Sequence, residues 1–203
     1  MADYDSQRRA ALEQRCAELL PRQTVNHIQV DEVIRWLSTE QREEQFVLVD
    51  VREPEERSVS YIPGSVTADE FLQQLTNSAD STNPYKNHVV IPYCTIGVRS
   101  GWFCDKLVQL GHFPSNQVRN LDGSILAYAH RLQELECLLT QKPEPTYKSL
   151  ESAMLVNESG ERTKKIHTFS SDWDLGPSSF QTEQFSGVTL IGKKLKLGYQ
   201  SLF

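Results

Sequence analysis

The sequence predicts an α/β fold, a parallel central sheet flanked by helices, followed by a mostly irregular C-terminal extension. Three observations predict it. Two runs, "FVLVDV" (46–51) and "HVVIPYC" (88–94), are apolar on both faces, as strands covered on both sides require. Helical patterns alternate with such runs at a pitch that suits parallel strands joined by crossover helices. Composition then shifts at "QKPEPTYK" (141–148), and helical periodicity stops there.

The elements follow in order. Residues 5–20 carry Ala10, Ala11, Leu12, Ala17, Leu19 and Leu20 in a helical pattern that stops at Pro21. "HIQV" (27–30) reads as a short strand, and Asp31 as the N-cap of a helix holding Val33, Ile34, Trp36 and Leu37. The strand at 46–51 ends in "REPEE", a charged loop that opens a short helix. "YIPGSV" (61–66) sets a Pro-Gly turn before another short strand. Residues 69–76 suit a helix, 76–87 a loop, 88–94 the next buried strand, and 100–110 a helix closed by Gly111. "VRNL" (118–121) is a further strand, "DGS" a turn, and 125–139 a helix with Ile125, Leu126, Leu132, Leu135 and Leu138 inward. The chain thus divides into an N-terminal helix (1–23), a domain (24–140) and an extension (141–203) packed on that domain. Trp173, Phe180, Phe185 and "VTLIG" (188–192) are the extension's packing groups.

Composition narrows the function. The 203 residues are 38% hydrophobic and 24% charged, enough to bury a core. A net charge of −6 offers no general attraction to nucleic acid or an anionic membrane, and neither is expected as a partner. "GKKLKLG" (192–198) reads as a solvated strand face. No apolar stretch approaches membrane-spanning length. Cys16, Cys94, Cys104 and Cys137 lack metal-ligand spacing, so no metal or cofactor is expected. The N-terminal segment is too acidic for a transit peptide, and reduced thiols in the cytoplasm are expected. Oligomeric state stays open.

One of these thiols has a distinctive context. Cys94 lies where a buried strand turns into a helix, and in open α/β sheets ligands bind off the carboxyl ends of strands. A free thiol titrates near 8.5 and is mostly protonated at neutral pH. Backbone N–H groups from Thr95 through Ile96, Gly97, Val98 and Arg99 to Ser100, curled at a helix N-terminus, would stabilise its thiolate. Gly97 permits the tight curl, and Arg99 adds a cation able to hold an oxyanion. A packed core thiol would explain Cys94 but neither the glycine nor the arginine. Cys16, Cys104 and Cys137 lack this context and read as packing residues.

"VLVDVREPEERSVSYIPGSV" (47–66), "VVIPYCTIGVRSGWFCDKLVQLG" (89–111) and "VRNLDGSILAY" (118–128) together resemble the rhodanese-like sulfurtransferase family, in order and in spacing over roughly 24–139. The resemblance implies a parallel sheet between helices and a cysteine that carries sulfane sulfur as a persulfide. Cys94 would be the nucleophile, Thr95 to Arg99 the amide cradle, and Arg99 the group that steers an anionic donor. Asp50 would organise the loop, and Arg52 would supply a second substrate cation; a surface ion pair at a strand end would explain these two equally well. The implied partners are a small-molecule sulfur donor such as thiosulfate and a thiol, cyanide or protein acceptor. A regulatory module that keeps the fold for binding is the alternative. Ser60-Tyr61 stand where many relatives have Gly-His, and Ser124 and Tyr128 where Gly and Trp are common. Fold-related phosphatases and arsenate reductases place five residues between cysteine and arginine; "CTIGVR" has the four of Thr95–Val98, a tighter loop suited to sulfur.

Overall fold

The protein was analysed as a computed structural model that describes residues 2–19, 26–39, 44–76, 83–141 and 149–185. The chain runs α1 (Ala2–Leu19), β1 (Asn26–Ile28), α2 (Val30–Ser38), β2 (Phe46–Asp50), α3 (Pro54–Val59), β3 (Val66–Thr67) and α4 (Ala68–Thr76). It continues through β4 (Val89–Tyr93), α5 (Val98–Gln109), β5 (Arg119–Leu121), α6 (Ser124–Gln141), β6 (Lys165–His167) and β7 (Gln181–Glu183). The architecture is α/β, with parallel strands flanked by helices.

β2 lies between β3 and β4, all parallel, and β2 pairs with β4 along its whole length from Phe46–Val89 to Asp50–Tyr93. β1 and β5 form a second parallel pair, and a parallel bridge between Val90 and Val118 sets that pair beside β4. Side chains alternate along the central strands with the period of two that a pleated strand imposes. Val47, Val49, Val90 and Cys94 enter one core with Phe71 of α4 and Phe103, Cys104 and Leu107 of α5. Leu48, Ile91 and Tyr93 enter the other, packed against α1, α2 and α6. Double burial is why these strands read as continuous apolar runs. Leu150, Ala153, Leu155, Ile166 and Phe180 from beyond α6 enter the second core, and the Tyr128 hydroxyl donates to the Ala153 carbonyl at 2.7 Å. The parallel pair β6–β7 lies in this segment, with β6 against α3.

Several expectations need correction. α2 starts at Val30 with Gln29 as N-cap, and Asp31 sits in the first turn, where a carboxylate suits the helix dipole and pairs with Arg131 at 2.6 Å. α5 starts at Val98, two residues before the expected boundary, because Gly97 at φ 103° turns the chain directly into the helix. Leu138 is 43% exposed and faces away from the core that its neighbour Leu139 packs against. "VTLIG", "GKKLKLG", most of "QKPEPTYK", and Leu20 with Pro21 lie outside the described residues. Among the described residues, no helix is long and apolar enough to cross a membrane.

Candidate functional site

β4 delivers Cys94 to the carboxyl end of the sheet, and the loop Thr95–Gly97 leads into α5. The loop is anchored from below by the start of α6. The Cys94 N–H donates to Ser124 Oγ at 3.1 Å, Ile125 N–H to the Cys94 carbonyl at 3.2 Å, and Leu126 N–H to the Thr95 carbonyl at 3.2 Å. Ser124 holds a left-handed φ of 51°, a conformation that normally favours glycine, and its hydroxyl uses that position to cap the cysteine amide. Asn120 donates its side-chain amide to the Gly97 carbonyl at 3.0 Å.

The curled loop turns the Gly97 N–H onto Cys94 Sγ at 3.1 Å. Burial opposes ionisation of this thiol, but the Arg99 charge, the Ser100 amide and hydroxyl, and the Gly97 amide outweigh it and lower the pKa. The single Ser100 hydroxyl proton also meets the Asn120 amide oxygen at 2.7 Å, so the sulfur and that oxygen compete for it.

Arg99, the cation the sequence offers to an oxyanion, is already engaged. Its guanidinium makes a bidentate pair with Glu56, at 2.6 and 2.7 Å, and a third hydrogen bond to Thr95 Oγ1 at 2.9 Å. Thr95 in turn donates to Glu56 at 3.1 Å. Glu56 is fully buried; burial raises its pKa, but Arg99, then Arg52 and the Glu53 amide, bring it down to about 2. The same carboxylate closes a capping box with the Glu53 N–H at the start of α3, so one side chain ties α3 to the cysteine loop.

For Asp50 and Arg52, the surface-pair reading fails. Neither is a surface ion pair: both side chains are fully buried. Arg52 makes two contacts to Asp50, at 2.9 and 2.7 Å, and one to the Ser60 carbonyl at 2.7 Å. Asp50 also accepts from the Tyr93 hydroxyl at 2.8 Å and from Arg57 at 3.2 Å. This cluster braces the residue before Cys94. Its burial keeps Arg52 from serving as a second substrate cation.

Glu56 and Ser124 were not singled out in the sequence as site residues. The spacing Glu53-x-x-Glu56 signals a helix start, but nothing local to it points to Arg99. His167 of β6 is buried nearby, its electrostatic neighbours including Glu56, Arg52 and Arg99, and burial lowers its pKa.

A half-open cavity of about 190 Å³ lies over Cys94. Ile96, Val98 and Trp102 line it from the loop and α5, Leu19 from the end of α1, and Phe169 and Trp173 from the segment after β6. Arg15 stacks on the Trp173 ring at 4.9 Å. Cys16, behind the loop, donates its thiol to the Ile96 carbonyl at 3.3 Å, and burial pushes it up to about 12. Cys104 is buried within α5, and Cys137 is exposed on α6. Among the described residues, no group of three or more His, Cys, Asp or Glu could hold a metal ion.

A family model of the rhodanese-like domain matches residues 33–131. The chain is similar to the tRNA uridine(34) hydroxylase of Leptospira interrogans, 30% identical over 95 residues, covering 45% of this chain and 25% of that protein. It is similar to the protein of the same name from an Enterobacter species, 31% identical over 91 residues, covering 43% of this chain and 25% of that one. The matched part thus spans a quarter of the length of these curated relatives. A Saccharomyces cerevisiae homolog of single-domain rhodanese and the Cdc25 phosphatase catalytic domain superposes at a TM-score of 0.38 with 19% identity, covering 55% of this chain and 84% of that one. Residues 33–131, which hold both Cys94 and its Glu56–Arg99 brace, match the rhodanese-like domain family.

Proposed function

We propose that the protein is a sulfurtransferase that carries sulfane sulfur as a persulfide on Cys94, from a donor such as thiosulfate to a thiol or cyanide acceptor. The observation that carries this reading is the Gly97 N–H held 3.1 Å from a sulfur whose pKa is lowered in spite of its burial. A thiolate stabilised by fixed dipoles is a nucleophile at neutral pH, and the same dipoles suit the persulfide anion that replaces it.

In the first half-reaction the Cys94 thiolate attacks the outer sulfur of thiosulfate. The S–S bond of the donor breaks, and sulfite leaves with the electron pair. The product is Cys94–S–S⁻, held by amides of the Thr95–Ser100 loop. In the second half-reaction a thiolate or cyanide attacks the outer sulfur, and the Cys94 thiolate departs. Arg99 supports both anions electrostatically, while Glu56 fixes its position. Asp50 and Arg52 hold the floor of the site through Tyr93 and α3 without touching substrate. A phosphatase reading is less well supported, because the tight "CTIGVR" loop aims its amides at a single sulfur rather than at the oxygens of a tetrahedral group.

Incubation with thiosulfate followed by intact-mass measurement tests the proposal. One added sulfur atom is expected on the wild-type chain and none on Cys94→Ala. An unmodified wild-type chain, or equal loading of the variant, would overturn it.

A further inference from the structure

We propose that the cavity over Cys94 selects a donor whose sulfane sulfur is carried on a short, uncharged hydrocarbon arm, in preference to a small dianion such as thiosulfate. The inference rests on the sulfur-transfer reading and concerns which donor the same site takes.

The walls set the preference. Leu19, Ile96, Val98, Trp102, Phe169 and Trp173 make them almost wholly apolar. The polar side chains that reach the cavity, Thr95 and Arg99, are bound to each other and to Glu56, whose carboxylate balances the guanidinium charge. A dianion entering here sheds its hydration against surfaces that return little of it. A hydrocarbon arm gains with each group it buries.

Size limits the arm. A dry apolar cavity of about 150 Å³ is enough to hold benzene. The 190 Å³ over Cys94 therefore admits one ring or a short chain. It lies below the roughly 300–1,000 Å³ of sites for drug-sized ligands, so the part of an arm that it encloses is small. Three of the walls, Leu19, Phe169 and Trp173, lie outside the family-matched residues 33–131. Donor choice is thus shared between the domain, through Ile96, Val98 and Trp102, and the flanking segments. Arg15, stacked on Trp173, orders one of those walls.

The matched pair of probes is benzenethiosulfonate and thiosulfate, which differ by a phenyl ring in place of one oxyanion. With the aryl donor, the Cys94 thiolate bonds to the outer sulfur, the bond between that sulfur and the sulfonyl sulfur breaks, and benzenesulfinate leaves with the electron pair. Charge and atoms balance as they do with thiosulfate. The measured quantity is the ratio of kcat/KM for Cys94 loading, aryl over thiosulfate. It is expected to fall roughly tenfold in Trp102→Ala and in Phe169→Ala, the scale of about two lost methylene burials. Trp102 is 58% exposed, so that variant is expected to fold. In Cys94→Ser, which cannot react, benzenethiosulfonate is expected to change tryptophan emission saturably and thiosulfate to leave it unchanged. Loading by both donors with a ratio that neither wall variant moves overturns the inference and leaves sulfur transfer standing. No loading from either donor overturns sulfur transfer, and the inference with it.

Discussion

Cys94 and Cys104 are two thiols of the same core cluster, at 1% and 0% exposure, and burial raises the pKa of both. They nevertheless diverge. Cys94 precedes α5, where unpaired amides point at it and Arg99 stands close, and its pKa ends below the ordinary value. Cys104 lies inside the helix, where the amides are already engaged; the Asp105 charge adds to its burial, and its pKa ends well above that value. Desolvation is common to both sites, so the donors and the charge decide the outcome. A thiol's acidity here follows its place at a helix terminus, and its depth in the core says little.

The largest way to break this contrast is to remove the group that holds Arg99. Glu56→Gln leaves a mostly buried guanidinium without its carboxylate and is expected to cost about 3 kcal/mol, read by denaturant unfolding. The wild-type pair has a matching acid signature. The folded pKa of Glu56 is depressed from 4.5 to about 2, so its contribution is present above pH 4.5 and is lost as pH falls from there toward 2. That loss is of the order of 3 kcal/mol. Asp50, also lowered by Arg52, adds to the fall in the same direction. A stability profile of Glu56→Gln that fell as steeply as the wild type below pH 4.5 would show that the pair is not its source.

A smaller effect sharpens the comparison at the sulfur. Gly97 sits at φ 103°, and Gly97→Ala forces an L-residue toward that conformation at a cost of about 1–2 kcal/mol. The displaced amide is expected to raise the midpoint pH of Cys94 alkylation by iodoacetamide, followed by mass spectrometry. An unchanged midpoint would mean that Arg99 and Ser100 suffice alone. The smallest effect is the control. Cys104→Ala is expected to cost on the order of 1 kcal/mol for the lost packing and to leave the Cys94 alkylation profile where it was.

Much of the fold was legible because the relevant signals are local. The apolar runs at 46–51 and 88–94 marked strands buried on both faces, and the order Cys94, Gly97, Arg99 marked a strand-to-helix turn. The strand-end position of Cys94 was readable for the same reason. Element ends moved where a cap or a glycine turn outvoted local pattern, as at Asp31 and Gly97. The engagement of Arg99 was not legible because its partner, Glu56, lies far back in the chain and reads locally as a helix-opening acid. For Asp50 and Arg52 a surface pair stood level with a role at the loop, because charge suggests exposure until the cluster around Tyr93 is seen.

The amino-acid order by itself determined the strand, the curl and which thiol stands at the strand-to-helix turn, since each depends on neighbouring φ/ψ preferences and apolar alternation. Only the tertiary structure decided which carboxylate neutralises Arg99 and which side chains roof Cys94. Those contacts join α3, the end of α1 and the segment after β6 to one loop. Such pairings are settled by packing between elements distant in the chain, where burial forces each charge to find a partner and each apolar wall to find cover.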